Sequence, residues 1–189
     1  MDAISLQGGF ADPARAAARA FRAVLNAMAR PGGIEAVAGA APPAPLSVAA
    51  GVVLLTLADA TTPVWLAPAV DRPALRDWIT FHTGAPFAAP GEAVFALGDW
   101  AGLLPLGRFA TGSAQYPDRS ATLIVEVPAL APATHRLTGP GIREAATLRL
   151  PGMQAEALNA GRFPLGLDLI LTCGDRLAGL PRTTRAEAL

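Results

Sequence analysis

Phe163-Pro164-Leu165-Gly166-Leu167-Asp168-Leu169-Ile170-Leu171-Thr172-Cys173-Gly174-Asp175-Arg176 is the stretch that decides the architecture of this chain, and Pro181-Arg182-Thr183-Thr184 closes it. An alternating apolar run ends at Gly-Asp and a second apolar run follows, the pattern of a β-hairpin on a two-residue turn. With Gly174-Asp175 as the turn, Cys173 faces Arg176, Leu169 faces Leu180 and Asp168 faces Pro181. Facing residues share a side of the sheet, so Arg182 falls opposite Leu167, on the side away from Asp168. The ladder therefore predicts no direct Asp168–Arg182 ion pair without a bulge, and makes Thr183 the better partner of Asp168. Asp168 interrupts an apolar strand. It either satisfies backbone amides or an arginine elsewhere, or presents a polar group to a ligand or partner. Cys173 is in phase with Leu167, Leu169 and Leu171, as a buried structural thiol would be, and the sequence shows no base to activate it.

Upstream of the hairpin, helices and strands intermix. Asp12 before Pro13 is an N-cap signal, Phe21, Val24, Leu25 and Met28 recur at helical spacing, and Pro31-Gly32-Gly33 ends that helix. Arg15, Arg19 and Arg22 fall on one flank, either a solvated face or a contact for an anion or an acidic partner. Residues 39–45 read as a stiff Pro-rich linker, and the apolar run 46–59 fits a buried helix by its length. A short strand follows at 62–66. Asp71 with Pro73 opens a helix carrying Leu75, Trp78, Ile79 and His82, which stops at Gly84-Ala85-Pro86. Strands are predicted at 93–97, 120–127, 135–138 and 147–150, a Gly/Pro-punctuated segment at 98–118, and a helix at 153–160. No internal repeat or domain boundary stands out. The expectation is a single α/β domain over residues 1–189, a mixed β-sheet with helices packed on it.

Composition removes several classes of function. The 189 residues carry 15 basic and 15 acidic side chains with no basic stripe, which argues against an electrostatic nucleic-acid binder. Only 16% of the residues are charged, against about 25% in ordinary soluble domains; a surface so poor in charge fits one covered by a partner chain. The longest apolar run, 46–58, falls short of the roughly 20 residues a bilayer span needs. No basic segment precedes an apolar one at the N-terminus, so no secretory signal is expected. A single cysteine fits a reducing cytoplasm. Every basic residue is arginine, which rules out a Schiff-base lysine for pyridoxal phosphate and a phosphate-loop lysine.

Catalytic patterns are sparse. His82 and His135 are the two histidines, with no His-Glu-x-x-His and no cysteine pair, so no metal site is expected. Gly-x-Ser-x-Gly is absent. Gly139-Pro140-Gly141 lacks the third glycine of a dinucleotide loop, and Pro140 removes an amide donor; it reads as a turn. Residues 112–120, with Tyr116, Asp118 and Arg119, form a polar loop entering an apolar strand. That loop is either an ordinary capped turn or a place where Arg119 holds a phosphate or carboxylate bidentately.

Several separated segments together resemble the PhnH family, the H subunit of the bacterial carbon–phosphorus lyase system. In family order they are Phe21-Arg22 through Pro31-Gly32, Leu54-Leu55-Thr56-Leu57-Ala58-Asp59 with Thr62-Pro63-Val64-Trp65-Leu66, and Phe81-His82-Thr83-Gly84-Ala85-Pro86. Gly112 to Leu123, Leu137-Thr138-Gly139-Pro140-Gly141-Ile142 and the C-terminal hairpin complete the set. Segments 39–45 and 98–111 match weakly. The resemblance implies a cytoplasmic protein of phosphonate catabolism, a homodimer by itself and a member of a core complex with the G, I and J subunits. With the L subunit, that complex is associated with attaching a ribose triphosphate from ATP to an alkylphosphonate. It further implies a fold like that of pyridoxal-phosphate-dependent transferases without the cofactor, in agreement with the missing lysine. The positions it carries over are Asp59, His82, Thr83, Tyr116, Asp118, Arg119, Asp168, Arg182 and Thr183, with no catalytic residue assigned; all but Asp59 and Tyr116 are ligand- or partner-binding candidates. The readings left open are a supporting subunit that docks, a subunit adding His82, Arg119 and Arg182 to a shared phosphonate or nucleotide site, a stand-alone phosphonate- or nucleotide-binding protein, and a hydrolase using Cys173 or His82.

Overall fold

The computed structural model describes residues 6–152, 159 and 161–189. The helix expected at 153–160 lies outside them, Asn159 apart. Along the chain come α1 (Pro13–Ala29), β1 (Ile34–Ala36), α2 (Val48–Leu57), β2 (Val64–Leu66), α3 (Pro73–Thr83), β3 (Phe95–Asp99), α4 (Trp100–Leu103), β4 (Thr122–Glu126), β5 (His135–Thr138), β6 (Ala146–Leu148), β7 (Asp168–Cys173), β8 (Arg176–Leu180) and β9 (Arg185–Ala188). The hairpin forms in the register read from the sequence, Cys173 opposite Arg176 and Leu169 opposite Leu180, with Gly174 supplying the positive φ of the turn.

Two sheets result. The larger runs β1-β8-β7-β4-β3-β2, with β2, β3, β4 and β7 parallel and β8 and β1 antiparallel additions at one edge. Its central strands are apolar at nearly every position because both faces are covered. Leu97, Ile124, Ile170 and Leu177 face α1, α2 and α3, where Val24, Leu54 and Trp78 join them. Ala96, Leu123, Val125, Leu169 and Leu171 face the opposite side. That side is covered by the second, three-stranded antiparallel sheet β6-β5-β9 and by α4, through Leu148, Leu137 and Leu103. Helices thus pack on one face as expected, and a small sheet takes the other.

Local sequence explains the main joints. Asp12 caps α1, its carboxylate accepting from the Arg15 amide, with Pro13 in the first turn. Gly179 sits in mid-strand because a Cβ there would lie 2.6 Å from the Ala27 carbonyl oxygen, so glycine lets α1 lie directly on β8. At α3 the cap differs from expectation: the N-cap is Arg72, without a side-chain bond. Asp71 instead pairs with Arg76, whose guanidinium holds the carboxyl below its ordinary value. β1 and β9 are strands the sequence did not announce; both are short, and their neighbours β8 and β5 hold them. Among the described residues, no helix is long and apolar enough to cross a membrane.

Candidate functional site

The hairpin's exit builds a densely bonded polar cluster. Pairing in β8 stops at Leu180, before Pro181, which has no N–H to offer. The Thr184 amide then closes a turn onto the Pro181 carbonyl at 2.9 Å, which lifts Arg182 and Thr183 out of the ladder. The Arg182 amide donates to Asp168 Oδ1 at 2.8 Å, and its Nε reaches both carboxylate oxygens at 3.2 and 3.1 Å. Nη2 donates to Asp168 Oδ2 and Nη1 to the Pro117 carbonyl. The predicted separation of Asp168 from Arg182, and the preference for Thr183, are therefore corrected. Ladder geometry was extended two residues past a strand end, and the turn at Pro181 swings the arginine back over the carboxylate. Both side chains are mostly buried, at 15% and 17% exposure.

Through Pro117 this pair also fixes the loop ahead of β4. Ser113 and Tyr116 bond each other's backbones, and a Cβ on Gly112 would lie 2.7 Å from the Pro117 carbonyl oxygen, so the loop packs against itself there. Arg119 lies over the Tyr116 ring at 4.2 Å, and Asp118 is exposed beside it. Asp168, Arg182 and the loop carrying Asp118 and Arg119 thus meet at the amino-terminal ends of β4 and β7, where Thr122 pairs with Asp168.

Next to this cluster opens a cavity of about 580 Å3, walled by Arg182, Thr183, Thr184, Arg185, Asn159 and Phe163, with Glu187 among its other residues. Asn159 is committed, bonding both the N–H and the C=O of Leu167 at 2.8 Å. Thr184 is 9% exposed and its hydroxyl has no hydrogen-bond partner among the described residues, an uncommon state for a buried polar group. Arg182, already paired with Asp168, borders the cavity together with Arg185, Glu187 and two threonines; arginine forks and hydroxyls are side chains that can donate to phosphoryl or phosphonate oxygens. Sequence reasoning missed Thr184 and Arg185; the signal was the run Arg182-Thr183-Thr184-Arg185 just after a hairpin.

The remaining candidates sit elsewhere. His82 lies at the end of α3, edge-on to Trp78 and Phe81 at 5.1 and 4.9 Å. A Cβ on Gly9 would come 2.4 Å from its Cε1, so only glycine lets the N-terminal segment cross the ring. Its Nε2 is buried without a partner among the described residues. The Thr83 hydroxyl donates to the Ile79 carbonyl and accepts the Ala85 amide, serving the helix end at Gly84. Asp59 accepts from the Thr61 amide and hydroxyl at 2.8 Å, and these bonds, the hydroxyl's first, lower its pKa. Cys173 Sγ approaches the Pro128 carbonyl at 3.5 Å, and the Thr134 hydroxyl meets His135 Nδ1 at 2.7 Å. Among the described residues, no three His, Cys, Asp or Glu side chains are grouped to hold a metal ion.

Glu126 was not anticipated at all. It ends β4, accepts the Ser47 amide at 2.7 Å and the Thr172 hydroxyl at 3.2 Å, and so lies against the N-terminus of α2. Burial pushes its pKa up, against the pull of those hydrogen bonds. A lone carboxylate closing the apolar run Leu123-Ile124-Val125 was the available sign.

A family profile described as "Bacterial phosphonate metabolism protein (PhnH)" matches residues 8–187. A protein of Rhizobium meliloti (strain 1021), named alpha-D-ribose 1-methylphosphonate 5-triphosphate synthase subunit PhnH, is 42% identical over 189 residues, covering 95% of this chain and 94% of that one. A Stutzerimonas stutzeri protein named as a candidate C–P lyase subunit, HtxG, is 36% identical over 172 residues, 87% of this chain and 83% of its own. The matched span takes in the hairpin, the Pro117 loop and the cavity between them, and on it the chain belongs to the PhnH family of bacterial phosphonate metabolism proteins.

Proposed function

We propose that this chain is a subunit of the assembly that makes a ribose 1-phosphonate 5-triphosphate from ATP and an alkylphosphonate. In it the chain contributes phosphoryl-binding side chains rather than a reaction centre of its own. The observation that carries this reading is the cavity beside Arg182, which Thr183, Thr184 and Arg185 line, with the buried Thr184 hydroxyl unpartnered among the described residues. The relatives' names supply the chemistry, since a triphosphate and a phosphonate are both tetrahedral oxyanions suited to arginine forks and hydroxyl donors. Arg182 is largely committed to Asp168 and Pro117, so Arg185 and the two threonines are the groups with donors to spare. Asp118 and Arg119 border the same node, whereas His82 and Thr83 serve the α3 end.

The same reading puts the chain in the cytoplasm, as a homodimer alone and beside the G, I and J subunits, with L, in the working complex. The transferase-like fold implied by the family would operate here without pyridoxal phosphate or metal, in keeping with a sequence that has no lysine. Reconstitution with purified companion subunits tests it. Co-elution is expected, and Arg185→Ala should weaken triphosphate binding by the complex about tenfold, the loss of one charge-assisted contact. Failure to co-elute at any ionic strength refutes the subunit role; unchanged nucleotide and phosphonate affinity refutes the cavity's part in it.

A further inference from the structure

The β1 edge of the large sheet is unfinished on both faces at once. In the ladder with β8, Glu35 lies opposite Leu177 and Ile34 opposite Ala178. Leu177 belongs to the helix-side core and Ala178 to the other, so Glu35 and Val37 face α1 while Ile34 and Ala36 face away. The Val37 amide bonds the Asp175 carbonyl at 2.9 Å. By the alternation of an antiparallel pair, Glu35 also turns its backbone groups to β8, and Ile34 and Ala36 turn theirs outward.

Beside this edge lie two cavities. On the helix side one of about 500 Å3 is walled by Ala16, Arg19, Ala20 and Ala23 of α1 with Val37 and Asp175. The other, about 260 Å3, includes Ile34, Leu130, Cys173 and Arg176. Side chains of a strand alternate between faces, so a strand laid along β1 would drop successive residues into one cavity and then the other. The alanines of α1 leave room on the helix side for large apolar groups, and α1 carries three arginines and no acidic residue.

We propose that this edge is completed by an extended segment of a companion subunit. The segment is apolar at alternate positions, carries an acidic residue that meets Arg19, and adds to the sheet beside β1. The proposal rests on the subunit role argued above. A second copy of this chain is the poorer occupant. Pairing β1 with itself about its centre sets Glu35 opposite Glu35 on the half-buried face, where like charges repel.

Amide hydrogen exchange of the wild-type chain, alone and in the reconstituted assembly, tests this together with two variants. Ala36→Pro removes only an outward N–H, which an edge strand tolerates; Arg19→Glu reverses one exposed charge, and the melting temperature of each confirms folding. Ile34 and Ala36 amides should exchange fast in the isolated chain and slow in the assembly. Each variant should weaken assembly about tenfold, the worth of one good hydrogen bond or charge contact. Wild-type co-elution with these amides still fast, and both variants assembling normally, overturns this proposal and leaves the subunit role standing. Protection that rises with the isolated chain's own concentration overturns it in favour of a second copy. Loss of wild-type co-elution removes both readings together.

Discussion

Asp168→Ala is the sharpest test of the polar node. The carboxylate holds the Arg182 backbone amide, its Nε and its Nη2, leaving Pro117 as the guanidinium's other acceptor. Removing one partner of a buried ion pair costs about 3–5 kcal/mol. Both side chains keep some exposure, which puts the expected loss near the lower end, about 3 kcal/mol. For a chain of 189 residues, each kcal/mol moves the melting temperature by about 2–4 °C, so a fall of about 6–12 °C is expected. Arg182→Ala should cost somewhat less, because the carboxylate left behind keeps the residue-182 amide and gains water. The double variant should lose less than the sum of the singles by about 2 kcal/mol, the coupling expected of groups in direct contact. Thermal melts followed by circular dichroism, with urea titrations alongside, measure all three. Single losses below about 1 kcal/mol that simply add would refute the reasoning, because a node that welds hairpin to loop cannot be dismantled without cost or coupling.

Three further outcomes follow from particular contacts. Gly179→Ala places a methyl group 2.6 Å from the Ala27 carbonyl oxygen and should cost about 2–3 kcal/mol by overpacking α1 against β8; an unchanged urea midpoint would show that α1 shifts freely. Burial raises the Glu126 pKa in the folded state, so the native chain retains a proton that the unfolded chain releases, and stability falls as pH rises from the ordinary carboxylate value of 4.5 through the raised one. Glu126→Gln should flatten that decline, by about 1.4 kcal/mol for each pH unit by which the value is raised, and parallel urea curves for both proteins from pH 4 to 8 would contradict it. Thr184→Val removes a buried hydroxyl that has no partner among the described residues and should stabilise the isolated chain by up to about 1 kcal/mol while weakening triphosphate binding in the assembly. A destabilised variant would mean that the hydroxyl is already bonded.

The hairpin was legible to the residue because two apolar runs and Gly-Asp fix a register by themselves. α1, α2 and the apolar strands β3 and β4, whose periodicity or length is strong, were legible as elements, the last three with ends shifted by one or two residues. In the small sheet β5 and β6 were foreseen, at 135–138 and 147–150, and β9 was not. β9 is Arg-Ala-Glu-Ala, a sequence with no strand preference, and only pairing with β5 extends it. The node failed for a related reason. Asp168 and Arg182 were placed by assuming that pairing ran on past Leu180, and nothing local gives the direction of a turn after Pro181. Its link to Pro117 depends on β4 and β7 being neighbours although the chain builds β5 and β6 between them, and that adjacency comes from burial across the whole sheet. Glu126 was invisible in kind: its role depends on Ser47, 79 residues earlier in the chain.

That same glutamate bears on where an anion can bind. In open sheets with parallel strands, ligands ordinarily sit at the carboxyl ends, where a helix N-terminus offers amides and a positive dipole end to phosphate. Here the carboxyl ends of β4 and β7 face the start of α2, and Glu126 already occupies it, accepting the Ser47 amide. The chain's own carboxylate takes the place a phosphate would seek, and a phosphoryl group approaching it meets a carboxyl rather than open donors. The arginines, and the Thr184 hydroxyl that is unpaired among the described residues, border the cavity next to the amino-terminal ends of the same strands. Two variants therefore separate the two ends. Thr184→Val should lower triphosphate affinity of the reconstituted assembly severalfold, while Glu126→Gln, which leaves the Ser47 amide an acceptor, should leave it unchanged. Isothermal titration with ATP reads both. If Glu126→Gln strengthens binding and Thr184→Val does nothing, the anion goes to α2, and the cavity beside Arg182 is only the outer wall of a structural joint.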